Sequence, residues 1–297
     1  MSEQYWGIDL GGTKIEGAVL ASTEKPEPLC RIRVPTESRG GYEHIIGQVA
    51  KLVGQMKAET GSAPAAIGMG TPGVLDPRTK TLKNSNTTCL NGMPLQDDLQ
   101  KALGIEVRLA NDANCFALAE ARLGAGGGAE TVFGVIMGTG VGGGIVVDGR
   151  ALYGGQGIAG EWGHNLLDAA GPDCYCGRKG CVETLLSGPA LERVYEAKAG
   201  QKLGLAEIAV RRDTDAHAAA TMEHLLDYFG RAMACLINIL DPHVIVLGGG
   251  VSNVGLLYTE GPAHVEKYVF NDRLDTKIVQ HALGDSAGVF GAAMLVA

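Results

Sequence analysis

The sequence predicts an α/β protein of duplicated design, with two domains around a cleft. Three observations lead there. Strand-length apolar runs alternate with helical periodicities through the first half. A strand, a glycine-rich turn and a second strand open that half and recur from residue 132. No linker or low-complexity stretch separates the halves. The 297 residues suit one large domain or two moderate ones.

Taken in order, residues 5–9 form a short buried strand and 14–20 alternate as its hairpin partner, with 29–34 a third strand. Ile45, Ile46, Val49, Leu52, Val53 and Met56 recur at helical spacing, which predicts an amphipathic helix over 42–59. Residues 66–69 return to strand, and a polar loop continues through Asn91. Residues 107–110 are a strand that ends at Asn111 and Asp112, with a helix over 113–123. The second half repeats the opening: strand 132–137, a Gly-rich turn, strand 144–147. A loop-rich insert over 149–181 follows. The clearest later helix carries Met222, Leu225, Leu226, Phe229, Met233, Leu236 and Leu240 on one face. Residues 243–247 are a strand leading into Gly248, Gly249 and Gly250, and 287–296 close as a small-residue helix able to pack tightly. The expected domains are 1–112 with 284–297, and 113–283 carrying the cysteine-rich loop.

Composition narrows the function. The chain is 45% hydrophobic, 20% charged and aromatic-poor, and its 45 glycines cluster in short runs, so they mark special dihedrals or close ligand approach. A net charge of -8 offers no basic surface for nucleic acid or anionic lipid. The uncharged run 131–147 is broken by glycines and is no membrane helix, and no signal peptide precedes the first strand. A cytoplasmic location is the expectation. Of seven cysteines, Cys30, Cys89, Cys115 and Cys235 sit among apolar neighbours and read as buried thiols. Cys174, Cys176 and Cys181 cluster, which in a reducing compartment reads as metal or redox chemistry before disulfides.

Four motifs can carry chemistry. Asp9-Leu10-Gly11-Gly12-Thr13-Lys14 lies at a strand end: backbone N–H groups at the paired glycines can approach an anion, Thr13 adds a hydroxyl, and Asp9 can hold Mg2+ through water. A plain hairpin turn explains it equally well. The run Gly138-Thr139-Gly140-Val141-Gly142-Gly143-Gly144 contains G-x-G-x-x-G, but strand rather than helix follows, which rejects a dinucleotide fold. Two such turns and the glycines at 248–250 suit a nucleotide clasped by one hairpin from each half. Asn111-Asp112, between strand and helix, reads either as a helix cap or as a general base at a strand end. Finally, His164 with Cys174, Cys176 and Cys181 fits a closed, structural Cys₃His zinc site, flanked by Glu161 and Glu183, which can accept bonds from hydroxyls. The competing reading is a loop with stray thiols.

Together these motifs, with Thr71-Pro72-Gly73 and Cys174-x-Cys-Gly-x-x-Gly-Cys181-x-Glu183, resemble the ROK family of sugar kinases and repressors, within the actin/hexokinase-like (ribonuclease H-like) fold. The likeness runs from Asp9 to the final helix. It implies ATP and Mg2+ as cofactors with structural Zn2+, a hexose substrate, a homodimer, and no nucleic-acid or membrane partner. By this resemblance Asp9, Gly11, Gly12, Thr13 and Lys14, and Gly138, Thr139, Gly140, Gly142 and Gly143, contact ATP phosphates, and Gly248, Gly249 and Gly250 lie near the adenosine. Asp112 is the base. Gly73, Asn86, Asn111, Glu161, His164 and Glu183 meet the sugar, His164 also binding zinc with Cys174, Cys176 and Cys181. The segments 83–92, 107–115 and 160–165 look most like bacterial manno(fructo)kinases, which makes D-fructose 6-phosphorylation the first expectation, with mannose beside it. Glucokinase or N-acetylglucosamine kinase is the alternative. Cys89, where relatives often carry Trp, and the short stretch from His164 to Cys174 both depart from the pattern on the substrate side. A repressor would need a helix-turn-helix before the turn at Asp9, for which there is no room.

Overall fold

The computed structural model describes residues 4–297. Residues 1–3, included in the first expected domain, lie outside the described residues. The strands are β1 (Tyr5–Leu10), β2 (Lys14–Leu20), β3 (Pro28–Pro35), β4 (Ala66–Thr71), β5 (Val74–Leu75), β6 (Leu82–Lys83), β7 (Glu106–Asn111), β8 (Thr131–Met137), β9 (Val141–Val147), β10 (Arg150–Ala151), β11 (Val244–Gly248) and β12 (Lys277–Gln280). The helices are α1 (Tyr42–Thr60), α2 (Leu95–Leu103), α3 (Asp112–Leu123), α4 (Val182–Leu186), α5 (Gly188–Ala199), α6 (Leu205–Val210), α7 (Ala216–Leu240), α8 (Leu256–Thr259), α9 (Gly261–Glu266) and α10 (Ala287–Ala293).

The duplication is explicit in the strand orders, β3-β2-β1-β4-β7 in one sheet and β10-β9-β8-β11-β12 in the other. In each, the first strand of its half is central. Its hairpin partners lie on one side and two parallel strands on the other. This is the α/β, actin/hexokinase-like arrangement expected.

By contact the chain divides into unit 1, Met1–Gly128 with Gly144–Ala159 and Ala282–Ala297, and unit 2, Ala129–Gly143 with Gly160–His281. The expected boundary at residue 112 falls elsewhere for a local reason. Helix α3 packs on α10, and the buried carboxylate of Glu120 on α3 accepts from the backbone N–H groups of Ala282 and Leu283.

Unit 1 is a sheet with a helix layer on each face. In the β1–β2 ladder Gly7 pairs with Ala18 and Ile8 with Gly17, so the two glycines face opposite sides. On one side α1 lays Ile45, Val49, Leu52 and Met56 into the core, Met56 sitting where a side chain at Gly17 would be. On the other, α10 touches the strands almost backbone to backbone. A Cβ at Gly68 would lie 1.8 Å from the carbonyl oxygen of Ala292, one at Gly7 2.2 Å from that of Val289, and one at Gly291 1.7 Å from that of Cys115 on α3. Only glycine fits such separations.

Unit 2 is organised by α7, whose inner face buries Met222, Leu225, Leu226, Phe229, Met233 and Leu236, with α4, α5 and α9 packed on it. Asp215 caps it by accepting from the N–H groups of His217 and Ala218. Its outer face corrects one expectation: Cys235 is exposed, because it falls in line with Arg231 and Asn238 on the solvent side of the helix. Cys30 and Cys115 are buried and Cys89 half-buried. No helix among the described residues is long and apolar enough to cross a membrane.

Candidate active site

In unit 1, three parallel strands bring their carboxyl ends to one edge of the sheet. The register pairs Asp9 with Gly70 and Thr71 with Asn111, so Asp9, Thr71 and the Asn111-Asp112 pair arrive together by topology. Thr71 is buried, and its hydroxyl reaches the carbonyls of Gly73 (2.8 Å) and Ala110 (3.1 Å), tying two strand ends. Asn111 resolves the choice at the start of α3: its Oδ1 accepts from Asn114 N–H at 2.8 Å, so Asn111 is the helix cap. Asp112 is the first helical residue, exposed, with Oδ1 accepting from Ala113 N–H at 2.8 Å.

Asp9 is a carboxyl of this unit whose pKa is raised. Burial raises its pKa from 3.8 to about 6, and the charges of Asp112 and Glu16 push the same way, against Lys14. Two neighbouring carboxylates of which one is held up in this way form an acceptor set that a divalent cation would relieve, which is the fit a magnesium ion asks for. The turn beside Asp9 is held by Thr36, whose N–H donates to Thr13 O (2.9 Å) and whose hydroxyl donates to Gly11 O (2.6 Å). A Cβ at Gly12 would lie 3.5 Å from Thr87 Oγ1, so the loop bearing Asn86 lies against this turn. Asn86 is exposed, and Asn91 braces its loop by bonding both the N–H and the carbonyl of Ser85. Gly73 packs on the same loop, where a Cβ would come 2.6 Å from Lys83 O. Lys14 makes an ion pair at 3.5 Å with buried Glu16, which Arg31 and Arg33 also hold.

In unit 2 the second glycine turn is gripped from several directions. Gly138 N–H closes the turn on Gly140 O (2.9 Å), and Gly188 N–H donates to Gly138 O (2.9 Å). Glu183 Oε2 accepts from Val141 N–H at 2.9 Å, and Trp162 Nε1–H donates to Gly142 O at 3.0 Å. Trp162 is itself held edge-on by Phe133, ring centroids 6.1 Å apart. Gly249, at φ 79°, passes so close to β8 that a Cβ would sit 2.4 Å from Met137 O, so the 248–250 run is joined to the same turn. The turn and the residues flanking the cysteine loop therefore form one piece.

The cysteine loop brings together one histidine and three cysteines that could hold a metal ion. The ligand atoms of His164, Cys174, Cys176 and Cys181 all lie within 4.8 Å of one another. His164 Nδ1 is 3.6 Å from Cys174 Sγ, and Cys176 Sγ is 3.6 Å from Cys181 Sγ. Zinc–sulfur and zinc–nitrogen bonds in a tetrahedron imply edges of about 3.8 Å between sulfurs and about 3.6 Å between sulfur and nitrogen. The donor set fits zinc in chemistry and in spacing. Burial pushes the Cys181 thiol up to about 12, whereas backbone hydrogen bonding at Arg178 draws Cys176 below its ordinary value. The loop is anchored on α7, where the Tyr228 hydroxyl donates to Asp168 Oδ2 at 2.5 Å.

The ROK family pattern matches residues 5–297. The chain belongs to the ROK family. It is 37% identical over 302 residues to the N-acetyl-D-glucosamine kinase of Aliivibrio fischeri, covering 98% of each chain. Among solved structures it is similar to a ROK hexokinase from Thermus thermophilus, 35% identical with a TM-score of 0.88 over 98% of this chain and 97% of that one. It is also similar to a ROK family glucokinase from Streptomyces griseus, solved with glucose and AMPPNP, 28% identical with a TM-score of 0.80 over 98% of each chain.

Two side chains of this ROK chain already have partners in the structure. Glu183 spends one carboxylate oxygen on the glycine turn, and His164 presents Nε2 to the hydroxyl of Tyr175 at 3.0 Å. Sequence reasoning passed over Thr36, Thr71, Trp162 and Tyr175 as working residues. Thr71 stood in the quoted Thr71-Pro72-Gly73 motif without a role, and Trp162 carried the signal of being one of two tryptophans in an aromatic-poor chain.

Proposed function

We propose that this ROK-family chain is an ATP-dependent kinase for N-acetyl-D-glucosamine, acting at the terminal (6-)hydroxyl. The observation that carries the choice of sugar is full-length likeness to curated N-acetyl-D-glucosamine kinases, at 36% to 38% identity over 98% of this chain. The motif resemblance at 83–92, 107–115 and 160–165 favours D-fructose instead. Full-length likeness weighs every segment that shapes a pocket, and for that reason the N-acetylated sugar is put first.

In this reading Asp112 accepts the proton of the attacking hydroxyl, its exposed carboxylate standing at the strand-end edge beside Asp9. Asp9 would hold Mg2+, which neutralises charge on the phosphates. The turns at Gly11–Lys14 and Gly138–Gly143 offer backbone N–H groups to the phosphates, Gly248–Gly250 adjoin the adenosine, and Gly73, Asn86, Asn111, Glu161, His164 and Glu183 bond the sugar. His164, Cys174, Cys176 and Cys181 would hold zinc, whose contribution is to fix the loop that carries Glu161. A homodimer, implied by the family resemblance, is tested by sedimentation.

The deciding experiment is an ADP-release assay over a panel of hexoses with ATP. N-acetyl-D-glucosamine should give the highest kcat/KM. A tenfold advantage for fructose, about 1.4 kcal/mol in transition-state binding, would restore the other sugar, and turnover of no hexose would overturn the kinase reading itself.

A further inference from the structure

Beside the glycine turn at Gly11–Lys14, within unit 1, lies an open cavity of about 690 Å³. Gly12 and Thr13 line one part of it, and Glu37, Ser38, Arg39 and His44 line the rest. These last belong to the connection from β3 into α1. It starts at Thr36, which already holds the glycine turn through Thr13 O and Gly11 O. It then closes as a single turn, Gly40 N–H donating to Glu37 O (2.8 Å) and Gly41 N–H to Ser38 O (3.1 Å). The His44 ring packs on Gly40, where a Cβ would come 2.6 Å from His44 Cγ. Thr36 therefore couples the glycine turn to the segment that bears Arg39.

The charges around this cavity are unevenly engaged. Glu37 is the one acidic residue of the lining, and its Oε2 lies 2.8 Å from His44 Nε2 and accepts from Gln48 Nε2 at 3.0 Å. The ammonium of Lys14, the cation of the glycine turn itself, is 3.5 Å from Glu16, which Arg31 and Arg33 also hold. Arg39 is exposed, with no ion-pair or side-chain hydrogen-bond partner among the described residues. A guanidinium offers planar, paired donors that match two oxygens of a phosphate, and this one shares a cavity with a glycine turn.

We propose that Arg39 is a donor contact: its guanidinium binds the terminal phosphate of ATP in this cavity, alongside the backbone of Gly12 and Thr13. The proposal rests on the kinase reading above, in which the Gly11–Lys14 turn takes the donor's phosphates. The terminal phosphate is what separates ATP from ADP, so a charge placed there favours loading of the donor over retention of the spent nucleotide.

Arg39→Gln removes the charge from an exposed side chain and should leave the melting temperature unchanged. Calorimetry with the non-hydrolysable analogue AMPPNP and with ADP, each with Mg2+, reads the contact. AMPPNP affinity should fall about tenfold, the scale of a lost charge-assisted hydrogen bond, while ADP and N-acetyl-D-glucosamine bind as they do to wild type. Arg39→Lys, which keeps the charge without the paired donors, should recover part of the loss. Unchanged AMPPNP binding by Arg39→Gln overturns the proposal. So does an equal loss for AMPPNP and ADP, because the contact would then not be to the terminal phosphate. Weaker binding of the sugar 6-phosphate with AMPPNP unaffected would give the cavity to the product, and overturns it too. If wild type binds neither nucleotide, the kinase reading falls and the Arg39 contact falls with it.

Discussion

Asn111 and Asp112 are adjacent, and only one of them caps the helix that follows. Asn111 caps α3 through Asn114 N–H, so the cap does not depend on Asp112. Asp112→Asn should therefore lower kcat by about a hundredfold or more, the scale of a lost general base, with sugar affinity and melting temperature little changed. Near-wild-type turnover would mean the base lies elsewhere. A cap reading of Asp112 would have required lost stability instead. At Asp9 the prediction concerns pH. Its folded-state pKa, about 6, lies above the ordinary 3.8, so the fold favours the protonated carboxyl. That contribution to stability is fully present below the ordinary value and is lost as pH rises through the folded value. Metal-free Asp9→Asn should accordingly melt above wild type at pH 8, by roughly 2–4 °C for each kcal/mol relieved, with the gap closing toward pH 4. Identical melting at pH 8 would refute the burial of charge at this site. The Asn111-Asp112 pair was visible in the sequence as a choice between two roles. What the sequence lacked was the side-chain geometry that gives the cap to Asn111.

Helix α10 was readable as a small-residue helix that packs closely, but not which strands it would touch. That depends on pairing Gly7 and Gly68 across β1 and β4, a long-range register. Gly68→Ala puts a methyl group where the Ala292 carbonyl already lies, and should destabilise the protein by at least about 1–3 kcal/mol in denaturant unfolding. A stability within error of wild type would mean that α10 sits farther from the sheet. The cysteine loop was more legible, because four soft ligands in one short span limit what the segment can be. Cys176→Ser should release zinc, lower the melting temperature and weaken sugar binding together, since the metal would fix the loop bearing Glu161. Retention of a full equivalent of metal by the serine variant would overturn the site. Tyr175 was invisible at that stage. Its contact with His164 appears only once the loop has folded around the ligand cluster.

At the scale of the molecule, a duplication could be read from two strand–turn–strand repeats far apart in sequence, and the structure extends it to two sheets of matching strand order. The sugar could not be read so well. Selectivity between sugars that differ by one substituent amounts to a few kcal/mol, set by pocket dimensions that motif identity does not encode. The division of the chain was also only partly legible: the expectation joined 284–297 to 1–112, whereas unit 1, discontinuous as it is, also takes in 113–128 and 144–159. That discontinuity has a consequence for biosynthesis. Residues 282–297 are translated long after β1 and β4, yet they supply the helix that lies directly on Gly7 and Gly68. Until they emerge, one face of the nascent sheet has no cover, and its apolar strands are available to chaperones or to other chains. A ribosome stalled before residue 282 should thus hold a unit 1 whose β1 and β4 amides exchange with solvent within seconds. Release of the complete segment should slow that exchange by orders of magnitude, so that this unit is completed only once residues 282–297 are available.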